Sequence, residues 1–372
     1  MARLDSICKL NMGQSPDSSS YNEIGKGIPF FQGNADFGII HPTVRVWCDA
    51  PTKIARIGDI LISVRAPIGA LNIANTDCCI GRGLAALTVD ERVCHKKYLW
   101  YGIGSKVDEL NSKGTGSTFK AISKNILAET EIPLPSMEIQ RRIAITLDSV
   151  SNLISLRKQQ LAKLDELFKS RFIELFGDPK SNPKGYTKKQ LGETCKVITG
   201  NTPSRAVAEY YGDHIEWIKT DNIVSGLLNP TTATECLSEK GMTVSRTVES
   251  GAILMACIAG SVSSIGRVCV TNRKVAFNQQ INAIVPHDYN ILFLYAMLQI
   301  SKEYLVDGIN MALKGILSKS KLEEKTFFVP PIELQEQFAT FIEQTDKSKL
   351  AIQNSLERLE TLKKALMQKY FG

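Results

Sequence analysis

The groups from which chemistry might be built in this 372-residue chain are nine cysteines, four histidines and a surplus of basic side chains. No cysteine stands in a C-x-x-C pair, and Cys78 and Cys79 are adjacent, a spacing ill suited to tetrahedral zinc. The odd number also argues against a complete disulfide framework, so the thiols read as reduced and mostly buried. His41, His95, His214 and His287 are scattered without metal-ligand spacing and read as surface or core residues. There is no Asn-Pro-Pro-Tyr for amino methylation, no G-x-x-x-x-G-K-[ST] for nucleotide phosphates and no G-x-G-x-x-G loop. The expectation is a chain without a catalytic constellation that holds no metal or cofactor of its own.

What remains is hydrogen-bonding chemistry. Arg, Lys, Asn and Gln on loops can pair twice with a base edge, while lysines, hydroxyls and glycine backbone can hold phosphates. In the first half the candidates are Lys113, Thr115, Ser117 and Lys120 on the Gly-rich stretch 113–120. Arg65, after an apolar run, and Arg82, between Gly81 and Gly83, join them. In the second half they are Asn201, Arg205, Lys219, Asn222, Gln279 and Gln280, with Asn310 and Lys314 on the stretch 310–315. Each has a plainer alternative as a solvated loop residue or a brace of the fold. The net charge of +7 is spread evenly, with +2 on 1–137, +2 on 138–177, +3 on 178–332 and 0 on 333–372. It permits nucleic-acid binding without requiring it.

The elements that must position these groups occur twice. Residues 132–140, Ile-Pro-Leu-Pro-Ser-Met-Glu-Ile-Gln, match Phe-Phe-Val-Pro-Pro-Ile-Glu-Leu-Gln 195 positions later. Ile122-Ser123-Lys124 matches Leu317-Ser318-Lys319 at the same offset, and Gly58-Asp59-Ile60-Leu61-Ile62 resembles Gly251-Ala252-Ile253-Leu254-Met255. Gly13 and Pro16 recur as Gly200 and Pro203; Arg82 falls opposite Gln279, and Arg65 opposite the stretch 259–264. Conserved order with a drifting offset marks two diverged copies of one module rather than a solenoid.

After each copy an alternating 4,3 step of apolar residues predicts a long helix with a coiled-coil seam. In the first it lands on Ile143, Leu147, Val150, Ile154, Leu161, Leu164 and Phe168, and in the second on Phe338, Ile342, Ile352, Leu356, Leu359 and Leu366. Arg157, Arg171, Lys349 and Lys363 interrupt these seams and read as register or edge residues. Neither stretch contains Pro or Gly, and a helix of about 39 residues would run roughly 58 Å. That overshoots an ordinary domain, so the two are expected to pair, antiparallel. The divisions are 1–137 and 178–332 for the globular modules, and 138–177 and 333–372 for the helices.

Within the modules, the apolar runs 44–48, 59–64, 84–89, 252–258 and 281–286 predict buried strands. Residues 97–103 and 290–300 predict helices, with short ones beginning near Ser123 and Ser318. The fold class is therefore α+β: two tandem mixed α/β modules and two paired long helices with pseudo-twofold symmetry. The N-terminus shows no apolar leader and no run of about 20 apolar residues occurs, so a soluble, cytoplasmic, non-membrane protein is expected.

Two α/β modules in tandem, each followed by a long helix, resemble the specificity subunits of Type I restriction–modification enzymes. The junction strings carry the likeness: Ile132-Pro133-Leu134-Pro135 with Glu138 and Gln140, the run Leu164-Asp165-Glu166-Leu167-Phe168-Lys169-Ser170-Arg171-Phe172, and Val329-Pro330-Pro331-Ile332-Glu333-Leu334-Gln335. The resemblance implies two target recognition domains, each reading half of an asymmetric, interrupted site in double-stranded DNA. The helices would act as a spacer that docks two modification (methyltransferase) subunits, with restriction/translocase subunits joining them. S-adenosylmethionine, ATP and Mg are implied on those partners and none on this chain, which is non-catalytic. Two other readings are a specificity subunit of a Type IIB-like system and a coiled-coil scaffold or adaptor that reads no DNA.

Overall fold

A strand buried on both faces has no polar side to show, which is why the central runs are continuously apolar. In the computed structural model, which describes residues 1–116, 120–309 and 315–372, Ile60–Ser63 is buried at all four positions. Its side chains alternate between two cores: Ile60 and Ile62 enter one, Leu61 the other. In Ile253–Ala256, Ile253 and Met255 likewise face one core, Leu254 and Ala256 another.

The chain divides into two units, Met1–Leu156 with Leu356–Gly372, and Arg157–Ser355. In the first, an antiparallel sheet runs in the order Cys8–Met12, Leu84–Val89, Ile60–Ser63, Leu71–Ile73. A five-stranded sheet follows the order Tyr21–Asn22, Val46–Cys48, Ile28–Phe31, Cys78–Ile80, Ile54–Ala55, with one parallel pairing, Phe30 to Cys79. The second unit repeats both orders. Its four-stranded sheet is Cys195–Thr199, Ile281–Pro286, Ile253–Ala256, Val268–Val270. Its five-stranded sheet is Tyr211–Gly212, Cys236–Leu237, Ile215–Ile218, Val275–Phe277, Thr247–Val248, again parallel only between third and fourth strands. The duplication read in the sequence is a duplication of topology.

Helices lie where expected, with shifted ends. Lys96–Ser105 extends the stretch 97–103 at both ends, and Asn290 caps Ile291–Ile300 through its side chain rather than joining it. Ser123 and Ser318 cap Lys124–Ala128 and Lys319–Glu323 in the same way. The run 252–258 is broken after Ala256, because the N–H groups of Cys257 and Ile258 both donate to the Gln280 carbonyl. Ile258–Ala259 then pairs with Gly315–Ile316.

The long helices are Met137–Phe176 and Ile332–Phe371, each of 40 residues. Each unit holds the start of one and the end of the other, so the pairing is antiparallel. In the first unit Ile143, Ala144 and Leu147 share a core with Phe371, Leu366 and Tyr370. In the second, Phe168, Phe172 and Phe176 meet Phe338 and Ile342, with Phe176 and Phe338 rings 5.5 Å apart.

Of the seam positions, Ile143, Leu147, Val150, Phe168, Phe338 and Ile342 are buried; Ile154, Leu161, Leu164, Ile352, Leu356, Leu359 and Leu366 are half-buried. A two-helix seam leaves one flank open wherever no module covers it, which accounts for the second group except Leu366, a partly buried residue packed against the first unit's core. Two of the polar positions, Arg157 and Lys349, tie the helices together, whereas Arg171 pairs with Glu174 on its own helix at 2.8 Å. Arg157 Nε donates to Ser355 Oγ at 3.2 Å, and Lys349 pairs with Asp165 across the seam, 5.7 Å from the Phe168 ring. Lys363 lies 5.9 Å from the Tyr101 ring.

Candidate nucleic-acid interface

The loops joining the two sheets of each unit bring the polar candidates together, and matching hydrogen bonds fix which residue answers to which. In the first unit Gly13 N–H donates to Leu84 O, Gln14 N–H to Ile80 O, Gly81 N–H to Phe31 O and Val64 N–H to Gly83 O. In the second the same bonds join Gly200 to Ile281, Asn201 to Phe277, Asn278 to Ile218 and Cys257 to Gln280. Gln32 therefore answers to Lys219, Arg82 to Gln279 and Arg65 to Ile258. The last departs from the expected stretch 259–264 by one residue, because the offset between the copies drifts there. The repeated glycine is steric: a Cβ on Gly13 would overlap the carbonyl oxygen of Gly81, and one on Gly200 that of Asn278. The repeated proline offers its carbonyl to a tyrosine, Tyr21 to Pro16 at 2.9 Å and Tyr211 to Pro203 at 2.8 Å.

In the first unit Arg65 and Arg82 line one concavity of ≈ 200 Å³ with Gln32, Gly33, Asn34, Ala66 and Gly83. Lys120 is joined to the lining residue Ala66, its carbonyl accepting from Ala66 N–H at 3.0 Å, and Thr115 is bridged to Ala121, which also bridges Arg65. Lys113 sits at the end of helix Val107–Lys113 with its ammonium on Glu109 at 2.6 Å, so its charge is already matched. Ser117 lies outside the described residues, as do Asn310 and Lys314 in the second unit.

In the second unit a different set gathers at the equivalent place. The Arg205 guanidinium stacks 4.3 Å over the Tyr211 ring and 5.2 Å from Trp217, and Lys219 lies 5.1 Å from Trp217. Both cations are ion-paired to Glu235, whose carboxyl is held below the usual range chiefly by the Arg205 hydrogen bond. Gln279 accepts from Thr202 Oγ1. Other candidates are spent inside the protein. Asn201 donates to Val244 O and accepts from Arg246 N–H at 2.7 Å. Asn222 is buried, accepting from Lys219 N–H at 3.0 Å and donating to Thr231 and Thr232. Gln280 is bonded to Asn278 through side chain and backbone.

The sequence does not single out Gln32, Asn34, Tyr211, Trp217 or Glu235, which the structure places beside the candidates. Phe31-Gln32 and Ile218-Lys219 share no residue, so their equivalence shows only in the hydrogen bonds of the fold. An aromatic within a strand, such as Trp217, otherwise reads as core.

Seen beside known proteins, this duplicated α/β scaffold on two long helices is a specificity-domain architecture. A family model described as the Type I restriction modification DNA specificity domain matches residues 1–166 and 183–364. The chain belongs to that family. It is 26% identical over 336 residues to the type I restriction enzyme MjaIX specificity subunit of Methanocaldococcus jannaschii, covering 84% of this chain and 76% of that one. The EcoBI specificity subunit of Escherichia coli is 20% identical over 411 residues, covering 99% and 84%. Another M. jannaschii relative, MjaX, is 40% identical over 158 residues, but the match spans only 37% of its length.

Among solved structures, the S subunit of a Type I restriction–modification system from M. genitalium superposes with a TM-score of 0.64 at 17% identity, covering 100% of this chain and 95% of that one. A chain from a study of type I R-M complex assembly and conformational transition gives 0.58 at 19%, covering 99% and 96%. Both agree with the fold. Among the described residues no helix is long and apolar enough to cross a membrane.

Proposed function

We propose that this chain reads an asymmetric, bipartite site in double-stranded DNA for a Type I restriction–modification complex, one half-site with each module. The observation that carries the reading is one scaffold presenting two different polar surfaces. Sheet order and backbone hydrogen bonds repeat between the units, while Arg65, Gln32 and Arg82 give way to Ile258, Lys219 and Gln279. Identical readers on a two-fold frame select a palindrome; different readers select two unlike half-sites.

The paired helices set the distance between those half-sites and dock two modification subunits, with restriction/translocase subunits joining the complex. The chemistry belongs to the partners: they take S-adenosylmethionine, ATP and Mg, and this chain supplies recognition alone. Exchange of residues 1–137 for the corresponding module of another specificity subunit tests the assignment. One half of the methylated motif should change and the other should stay; a simultaneous change in both halves contradicts it.

A further inference from the structure

The cations at the two candidate surfaces differ in how they are held. In the second unit Arg205 and Lys219 share the carboxylate of Glu235. In the first, neither Arg65 nor Arg82 has a carboxylate partner among the described residues, although both are exposed at one concavity. Asp36, on the adjoining turn, is already committed to Arg45 at 2.7 Å and to the N–H groups of Gln32 and Gly33. Among the described residues, both arginines thus line this concavity without a carboxylate, and Gln32 and Asn34 share the lining with them.

The backbone beneath Arg82 is fixed. Its own N–H donates to Ser15 Oγ at 3.3 Å, and those of Gly81, Gly83 and Leu84 donate to Phe31 O, Gln32 O and Gly81 O at 2.8, 3.1 and 3.0 Å. Arg65 is tied on both sides, by Val64 N–H to Gly83 O at 2.9 Å and Ala66 N–H to Lys120 O at 3.0 Å. A fixed backbone sets where each exposed side chain starts and how far it reaches, which favours geometric selection even though the side chain itself is ordered only on binding. Guanine presents two acceptors, O6 and N7, on its major-groove edge, and a guanidinium presents two parallel donors.

Resting on the reading that the chain recognises DNA, we propose that Arg65, Arg82, Gln32 and Asn34 form the base-reading pocket of the first module. The pocket takes a G·C pair in the first half-site, with Arg82 as the residue that reads guanine.

The test uses the full chain with its modification subunits. Methylation mapping first defines the wild-type motif, and binding to duplexes carrying each base at each position is then measured for R82A, R82K and R92A. R82A should lose about tenfold or more discrimination at one guanine of the first half-site while the second half-site is read as before, and R82K should fall between R82A and wild type, because an ammonium still donates to O6 and N7 but lacks the planar fork. R92A, whose side chain is exposed on Asp90, should keep the wild-type motif and serves as the folding and assembly control.

Absence of guanine from the first half-site would overturn the proposal. So would an R82A complex whose binding weakens evenly on every sequence with the motif unchanged, the signature of a phosphate contact. A wild-type complex that methylates no bipartite motif defeats the underlying DNA-reading assignment instead, so the two failures are distinguishable.

Discussion

Gln140 accepts a hydrogen bond from the backbone N–H of His95 at 2.8 Å, pinning the start of the first long helix to the start of helix Lys96–Ser105. Its amide donates to Pro135 O at 2.8 Å and Val93 O at 3.3 Å. Gln335 makes the corresponding bonds to Asn290 N–H at 2.9 Å and Pro330 O at 2.8 Å. Each bond to a helix cap spans 45 residues, and both side chains are 1% exposed. The Glu-x-Gln text that repeats in the sequence is thus the joint between module and long helix.

Removing that joint strands buried polar groups. Gln140→Ala leaves the His95 N–H and the Pro135 carbonyl without their partner, and the expected loss is about 2–3 kcal/mol. Gln335→Ala should cost the second unit a similar amount. Urea unfolding of the full chain reads both; losses below about 0.5 kcal/mol, the scale of an ordinary surface change, would contradict the assigned role.

Glu235 gives a pH-dependent case. Its folded carboxyl is depressed, chiefly by the hydrogen bond from Arg205. The pair therefore adds stability above the unfolded carboxylate value of about 4.3, and the contribution is lost as pH falls through the lower folded value. Glu235→Gln should cost about 1 kcal/mol at pH 7, a modest figure because the cations are partly exposed, and progressively less below pH 4. A penalty that stays constant from pH 7 to pH 3 would show that charge plays no part.

The thiols predict a counting result. All nine cysteines are free and only Cys236 is not fully buried. Burial pushes Cys8, Cys78 and Cys257 up to about 12, so little thiolate exists at pH 8. Ellman's reagent should titrate at most one thiol quickly in the folded chain and all nine after denaturation without reductant. Several fast thiols, or fewer than nine in the denatured chain, would contradict this packing.

The helices predict a geometric one. Arg157 to Ser355 and Lys349 to Asp165 hold the seam in one register. Matched heptad insertions in both helices preserve that register and should widen the gap in the methylated motif without changing either half. An unchanged gap would remove the ruler role.

The long helices were legible because a 4,3 apolar step is a local signal, and the central strands because burial on both faces leaves an unbroken apolar run. The duplication was legible through steric and capping residues, Gly13 with Gly200 and Gln140 with Gln335, that the scaffold needs in both copies. The candidate surfaces were less so. Gln32, Arg65 and Arg82 come from three separated segments and converge only through the sheet order. Asn222 has the residue type of a base reader, yet its amide is consumed by Lys219, Thr231 and Thr232. Glu235 gave no signal, because its meaning depends on the two cations that folding places beside it.

The most direct test of the account is long-read methylation mapping in a host expressing a Type I modification subunit from the same source, with and without this chain. One bipartite, non-palindromic motif that vanishes when the chain is deleted is the predicted result. An assembled, active methyltransferase that marks no such motif, or marks the same motif without this chain, would contradict it.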